Sequence, residues 1–196
     1  MKKILFLHIP KTAGSSITAS QLKINKVIHP IRQDGAWREI KELSMEDYYK
    51  IAFVRNPWDR FVSLYFYFFN MKPDHFAYQY DHTTVKNIQR FKTFEDFCLN
   101  FDDFDRQQPF KKFHFFNQNL WTHDNGECFL DFLGYFENLN IDINCLSKEL
   151  NIKIKKIPHL NISTHKNYKK YYNDKTINIV ASLYKQDIKY FNYQFA

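Results

Sequence analysis

Ile4-Leu5-Phe6-Leu7-His8-Ile9-Pro10-Lys11-Thr12-Ala13-Gly14-Ser15-Ser16-Ile17 is the stretch whose reading decides the fold. It opens as a short apolar run, long enough for one buried strand. A loop with one Pro, one Lys and one Gly follows, and then two hydroxyl residues that can open a helix. Strand, loop and helix N-terminus together build an anion site. The first N–H groups of a helix have no intrahelical partner, and the helix dipole favours negative charge there. Gly14 allows a close backbone approach or a positive φ. Lys11 adds a full charge, and Thr12, Ser15 and Ser16 add hydroxyl donors, all suited to a phosphate or sulfate group. The same residues also fit an ordinary strand-to-helix turn with a solvated lysine. The kinase-type loop G-x-x-x-x-G-K-[ST] is absent, because here the Lys precedes the Gly.

A second stretch, Ala52-Phe53-Val54-Arg55-Asn56-Pro57-Trp58-Asp59-Arg60-Phe61-Val62-Ser63-Leu64-Tyr65, repeats the plan of strand, polar turn and helix. Asn56 suits an N-cap, Pro57 the first helical position, and Asp59 the first turn. Arg55 then stands at the C-terminal tip of a strand, the edge of an open parallel sheet where ligands bind. Ser63 lies about two helical turns further on, on the side of Asp59. Arg60 reads as structural.

At this point the sequence resembles a known family. His8-Ile9-Pro10-Lys11-Thr12-Ala13-Gly14-Ser15-Ser16 resembles the 5′-phosphosulfate loop of carbohydrate sulfotransferases. Arg55 to Ser63 resembles their 3′-phosphate motif, an Arg and a Ser eight residues apart. The heparan and dermatan 2-O-sulfotransferases and their bacterial relatives are the most similar group. A looser similarity covers Leu133-Gly134-Tyr135-Phe136-Glu137-Asn138-Leu139, and Pro158-His159-Leu160-Asn161-Ile162-Ser163 through Tyr171-Tyr172.

The resemblance implies an α/β, P-loop-NTPase-like three-layer fold with a mostly parallel central sheet flanked by helices. It implies 3′-phosphoadenosine 5′-phosphosulfate as donor and a hydroxyl of a carbohydrate or glycoconjugate as acceptor. Lys11, Thr12, Ala13, Gly14, Ser15 and Ser16 would hold the phosphosulfate, with Lys11 also neutralising the charge that develops on the leaving phosphate oxygen. Arg55 and Ser63 would take the 3′-phosphate, and Ser163 and Lys166 belong to a later cofactor loop. His29, after the second strand, is the expected general base, with Glu39 and Glu42 as the alternatives, since a Glu is the base in some other sulfotransferases; His8, before the loop, reads either as a residue touching the sulfo group or as a buried strand-end residue. No metal ligand is expected.

Length and composition agree with one folded domain spanning residues 1–196. A hydrophobic fraction of 44% and few glycines leave no room for a long linker. The formal charge of +7 admits a nucleic-acid binder or a positive cleft for a polyanionic nucleotide. The basic residues form no single run, which favours the cleft. Cys98, Cys128 and Cys145 are odd in number and lack C-x-x-C spacing, so neither a zinc site nor a disulfide framework is expected, and a reducing compartment is. Met1-Lys2-Lys3 imitates the start of a signal peptide, but Pro10 and Lys11 interrupt the apolar run. Animal members of the family carry an N-terminal Golgi anchor; this chain begins at its first strand and reads as soluble and cytoplasmic.

Periodicity predicts strands at 26–28, 49–54, within 128–135 and at 152–157. It predicts helices at 16–23, 35–43 and 57–70, one from Phe94 capped by Thr93 with Asp96, one at 140–150, and a single final helix capped by Asp174. Residues 71–92 read as a long loop or short broken helices and residues 102–127 as irregular, and both are candidate acceptor-binding walls. A P-loop kinase and a non-catalytic basic module for polyanions are the alternative functions these residues admit.

Overall fold

The computed structural model describes residues 2–20, 22–29, 47–106, 112–152 and 165–196. The expected helix at 35–43, most of the strand expected at 152–157, and Glu39, Glu42 and Ser163 lie outside them. The chain forms two compact units, Met1–Asn56 with Phe116–Ile162, and Pro57–Phe115 with Ser163–Ala196.

The first unit is built on a parallel sheet of β1 (Lys3–Leu7), β2 (Ile24–Ile28), β3 (Tyr48–Val54) and β6 (Phe132–Tyr135), in the order β2-β1-β3-β6. Leu5, Leu7, Ala52 and Val54 are as fully buried as Ile4, Phe6, Ile51 and Phe53 on the opposite face. That is why these strands read as continuous apolar runs, as parallel strands covered on both sides do. Ile4, Phe6, Ile51 and Phe53 pack with Ile17 of α1 (Gly14–Thr18) and with Ile143 and Leu146 of α6 (Leu139–Glu149). Gly134 pairs with Phe53 in register, and a Cβ there would stand 2.2 Å from the Phe53 ring. A hairpin of β4 (His123–Asp124) and β5 (Glu127–Cys128) turns through Asn125 and Gly126, both at positive φ (50° and 89°). Asn-Gly is the pair such two-residue turns select.

The topology places the ligand edge. From the central β1 the chain moves to β2 on one side and then to β3 on the other. Strand order reverses between β1 and β3, and their C-terminal ends are neighbours, with Leu7 opposite Ala52. In open α/β sheets this is the point where ligands bind.

The second unit is helical: α2 (Pro57–Phe69), α3 (Tyr78–Ile88), α4 (Phe94–Leu99), α5 (Phe101–Arg106), α7 (Asp174–Leu183) and α8 (Lys185–Phe191). Its core is aromatic. Phe61 of α2 lies within 6.0 Å, centroid to centroid, of Phe94, Phe97, Phe101, Phe115 and Tyr184. The aromatic crowding of α2 is thus core packing. Arg60 is buried there, its Nη2 donating to the His114 carbonyl at 2.7 Å.

Three expectations are corrected. Within 71–92 the chain forms the eleven-residue α3, whose buried face carries Asp81 and Thr84 beside Val85 and Ile88. Polar residues at buried positions hide the apolar period. The cap of the last helical stretch is Asn173, in a capping box with Thr176, and Asp174 is the first helical residue. That stretch is two helices, broken at Tyr184, and its apolar period runs through the break and hides it. The expected cap at Thr93 is present, its Oγ1 accepting from Asp96 N at 3.0 Å.

Candidate functional site

Each strand of the parallel sheet is followed at its C-terminal end by a residue suited to chemistry. Across the sheet they run His29 after β2, His8 and the Lys11 loop after β1, Arg55 after β3, and Phe136 after Tyr135 of β6.

The loop from Pro10 to Ser16 is closed from within. Thr12 is buried, and its hydroxyl donates to the Ile9 carbonyl at 2.9 Å, so this side chain holds the loop. Lys11 and Ala13 both lie in the left-handed region, at φ 69° and 68°. Two non-glycine residues at positive φ within three positions store strain of about 1–3 kcal/mol each, a feature that clusters at ligand sites. Left-handed Ala13 followed by helical Gly14 turns successive N–H groups toward a common point, the nest arrangement that receives anions. Ala13 has no side-chain cap to compete for those groups.

Gly14 is not at positive φ; its smallness serves His8. A Cβ on Gly14 would lie 1.9 Å from the His8 ring. That ring also stacks on Phe6 (5.7 Å, 16°) and meets the His29 ring edge-on (4.6 Å, 61°). The His8 N–H donates to the Ile28 carbonyl at 2.9 Å, pinning the two strand ends together. Burial, then the neighbouring His29 and Lys11 charges, push His8 down to about 4, so it is neutral near pH 7. His29 is more exposed, and burial lowers it as well.

Arg55 is 5% exposed and held at several points. Gln118, fully buried, accepts from its N–H at 2.9 Å and donates to its carbonyl at 2.8 Å, acting as a substitute strand partner. The guanidinium lies 4.0 Å above the Phe136 ring, and Nη1 donates to the Lys11 carbonyl at 3.0 Å. Two cationic side chains thus share one corner. Burial, and secondly the Arg55 charge, push the Lys11 ammonium down to about 8.

A family model described as the sulfotransferase family matches residues 1–194. The chain belongs to the sulfotransferase family. The family has a P-loop-like fold, in keeping with the parallel sheet and flanking helices described above. Membership makes the protein a transferase of sulfo groups. No curated protein and no solved structure matches the chain.

In this sulfotransferase, then, Lys11, Thr12, Ala13, Gly14, Ser15, Ser16, Arg55 and His29 all belong to the carboxyl edge of one sheet. Ser15 is exposed and Ser16 buried. Ser63 belongs to the helical unit, in the middle of α2, where it is 1% exposed and its Oγ has no hydrogen-bond partner among the described residues. Lys166 is exposed, its N–H donating to the Tyr171 hydroxyl at 3.0 Å. Gln118 and Phe136, which hold Arg55, are the residues that sequence reasoning misses. Phe136 lies within a stretch that carries family resemblance, whereas nothing local marks Gln118. Among the described residues, no helix is long and apolar enough to cross a membrane.

Proposed function

We propose that this sulfotransferase transfers the sulfo group of 3′-phosphoadenosine 5′-phosphosulfate to a hydroxyl of a carbohydrate or glycoconjugate. The observation that carries the reading is the Lys11–Arg55 corner at the switch point: the Arg55 guanidinium is tied to the Lys11 backbone carbonyl, and burial, then the Arg55 charge, depress the Lys11 ammonium to about 8. Such a corner is stabilised by a polyanion, and the donor brings one at each end. The donor supplies an activated sulfo group. Lys11, with the N–H groups of Ala13 to Ser16, neutralises the charge that builds on the departing phosphate oxygen. Thr12 keeps that loop closed. Arg55 and Ser63 take the 3′-phosphate, and the buried unpartnered Ser63 Oγ supports this role. Ser163 and Lys166 are assigned to the same nucleotide.

His29 accepts, on a ring nitrogen, the proton that the acceptor hydroxyl loses as its oxygen bonds to sulfur. Its lowered pKa keeps it unprotonated and able to do so at neutral pH. The segments 71–92 and 102–127 are proposed as acceptor walls; Phe76 and Tyr80, 80% and 68% exposed, offer aromatic faces. We read residues 1–196 as one catalytic domain, in line with the span of the family match. We place the protein in the cytoplasm, a reading its three unpaired cysteines support.

Thermal unfolding with 3′-phosphoadenosine 5′-phosphate, against ADP and ATP with magnesium, tests the donor. A ligand at a hundred times its Kd adds about 2.7 kcal/mol. Stabilisation by the 3′-phosphorylated nucleotide alone supports the reading; stabilisation by ATP alone overturns it.

A further inference from the structure

The rings of His8 and His29 meet at the carboxyl ends of β1 and β2, with centroids 4.6 Å apart and planes 61° apart. The two differ in freedom. His29 is exposed overall, yet burial lowers it below its ordinary 6.5. Among the described residues, the ring that covers it is His8. An exposed imidazole at a strand end can turn among its rotamers, and a base works only within hydrogen-bond reach of the proton it takes.

His8 is held on every side that the structure describes. Its ring stacks on Phe6, two residues back on the same side of the strand, at 5.7 Å and 16°. Its Cδ2–Nε2 edge lies on Gly14, where a Cβ would come within 1.9 Å of both atoms. Its backbone N–H donates to the carbonyl of Ile28, the residue before His29, at 2.9 Å. The held ring is also neutral. Burial, then the His29 and Lys11 charges, keep it at about 4. Among the described residues, the titratable groups facing His8 are His29 from the end of β2 and Lys11 from the loop. Phe6 of β1 and Gly14 of α1 face it without charge. A neutral ring does not repel the imidazolium that His29 becomes on taking a proton.

We propose that His8 is a positioning residue for transfer: its fixed, uncharged ring is the wall that holds His29 with a ring nitrogen toward the acceptor hydroxyl. The inference rests on the reading of His29 as the base. Gly14 opens α1 and also seats the His8 ring, so the base is aligned against the same loop that is assigned to the donor. Such alignment is worth more than the contact itself, because a base misplaced by about 1 Å costs about 10²-fold in rate.

Three measurements on the full chain test this. They are the pH profile of kcat, the thermal shift given by 3′-phosphoadenosine 5′-phosphate, and a nitrogen-15 NMR titration of the His29 ring, assigned by its loss in His29→Asn. In His8→Ala, kcat should fall about 10²-fold while the nucleotide shift stays as in the wild type. With its cover gone, His29 should titrate nearer its ordinary 6.5, and the acid limb of kcat should move up with it. His8→Phe keeps a flat uncharged ring and should rescue most of both losses. If His8→Ala does not fold, His8→Leu, which fills the space without a flat face, carries the same comparison. Wild-type kcat and an unmoved His29 titration in His8→Ala, even in a protein that melts lower, overturn the inference and leave His29 as the base. Nucleotide affinity that falls in step with kcat also overturns it, because His8 would then serve the donor loop. Transfer by His29→Asn at the wild-type rate overturns the base reading, and the inference with it.

Discussion

Arg55 Nη1 donates a hydrogen bond to the carbonyl oxygen of Lys11 at 3.0 Å, joining the ends of two adjacent parallel strands. The contact uses one arm of the guanidinium fork, while the flat face rests on Phe136 at 4.0 Å. A lysine cannot do both, because it is a point charge without a plane. Arg55→Lys should therefore lose most of the thermal stabilisation expected from 3′-phosphoadenosine 5′-phosphate in the wild type, as Arg55→Ala should. Equal ligand-induced shifts in Arg55→Lys and wild type would show that charge alone suffices there.

The depressed Lys11 makes a prediction with opposite signs for free and bound protein. Lys11 ordinarily releases its proton near 10.5, and in the folded chain near 8. Between these values the unfolded chain binds the extra proton, so the free protein gains stability from this group as pH rises through that window. Donor binding needs the ammonium, so the stabilisation by nucleotide should shrink over the same window. Melting temperatures from pH 7 to 10, with and without 3′-phosphoadenosine 5′-phosphate, check both trends; Lys11→Met should flatten both.

Gly14→Ala places a methyl 1.9 Å from a ring that is already held by Phe6 and His29. Either the helix start or the imidazole must move, at a cost of about 1–3 kcal/mol. Removing the obstacle should remove the cost. In urea denaturation His8→Ala combined with Gly14→Ala should be less destabilised than the sum of the two single variants, and strict additivity would argue against the contact.

Much of this arrangement is legible in the sequence because it is local. Continuous apolar runs give β1 and β3, and a Lys in the loop after the one and an Arg directly after the other give the ligand edge. His29 reads as a strand-end residue for the same reason. Legibility fails where a residue's partner is distant or its chemistry is shared. Asp81 and Thr84 on the buried face of α3 break the apolar period. Asn and Asp cap helices about equally well, so residue type does not choose between Asn173 and Asp174. Gly14 reads as room for a ligand, and the structure gives the room to His8. Gln118 reaches Arg55 from 63 residues away, and a side chain that imitates a strand leaves no periodic trace.

That last residue makes its own prediction. Gln118→Leu keeps the volume and strands the Arg55 N–H and C=O in a buried place, which costs about 1–3 kcal/mol for each buried group left unpaired. Gln118→Glu keeps an acceptor for the N–H and loses only the donor to the carbonyl. The expected order of stability in urea is wild type, then Glu, then Leu, with nucleotide affinity falling in the same order. Loss of stability with unchanged affinity would mean that Arg55 finds its place without the clamp.

His29 separates binding from transfer. It lies after β2, one strand away from the Lys11 loop, and no charge of the donor is assigned to it. His29→Asn should therefore bind 3′-phosphoadenosine 5′-phosphate as the wild type does, while sulfo transfer falls by about 10²–10⁴-fold, the range a general base contributes. The pH profile gives the sign. A base works only when neutral, and burial lowers His29 below its usual 6.5, so wild-type kcat should hold through neutral pH and fall only on the acid side of 6.5. His8 is neutral throughout that range, being pushed down to about 4, so it does not supply this limb. A residual rate in His29→Asn that keeps the same acid limb would move the base to another residue, and transfer at the wild-type rate would remove His29 from the chemistry altogether.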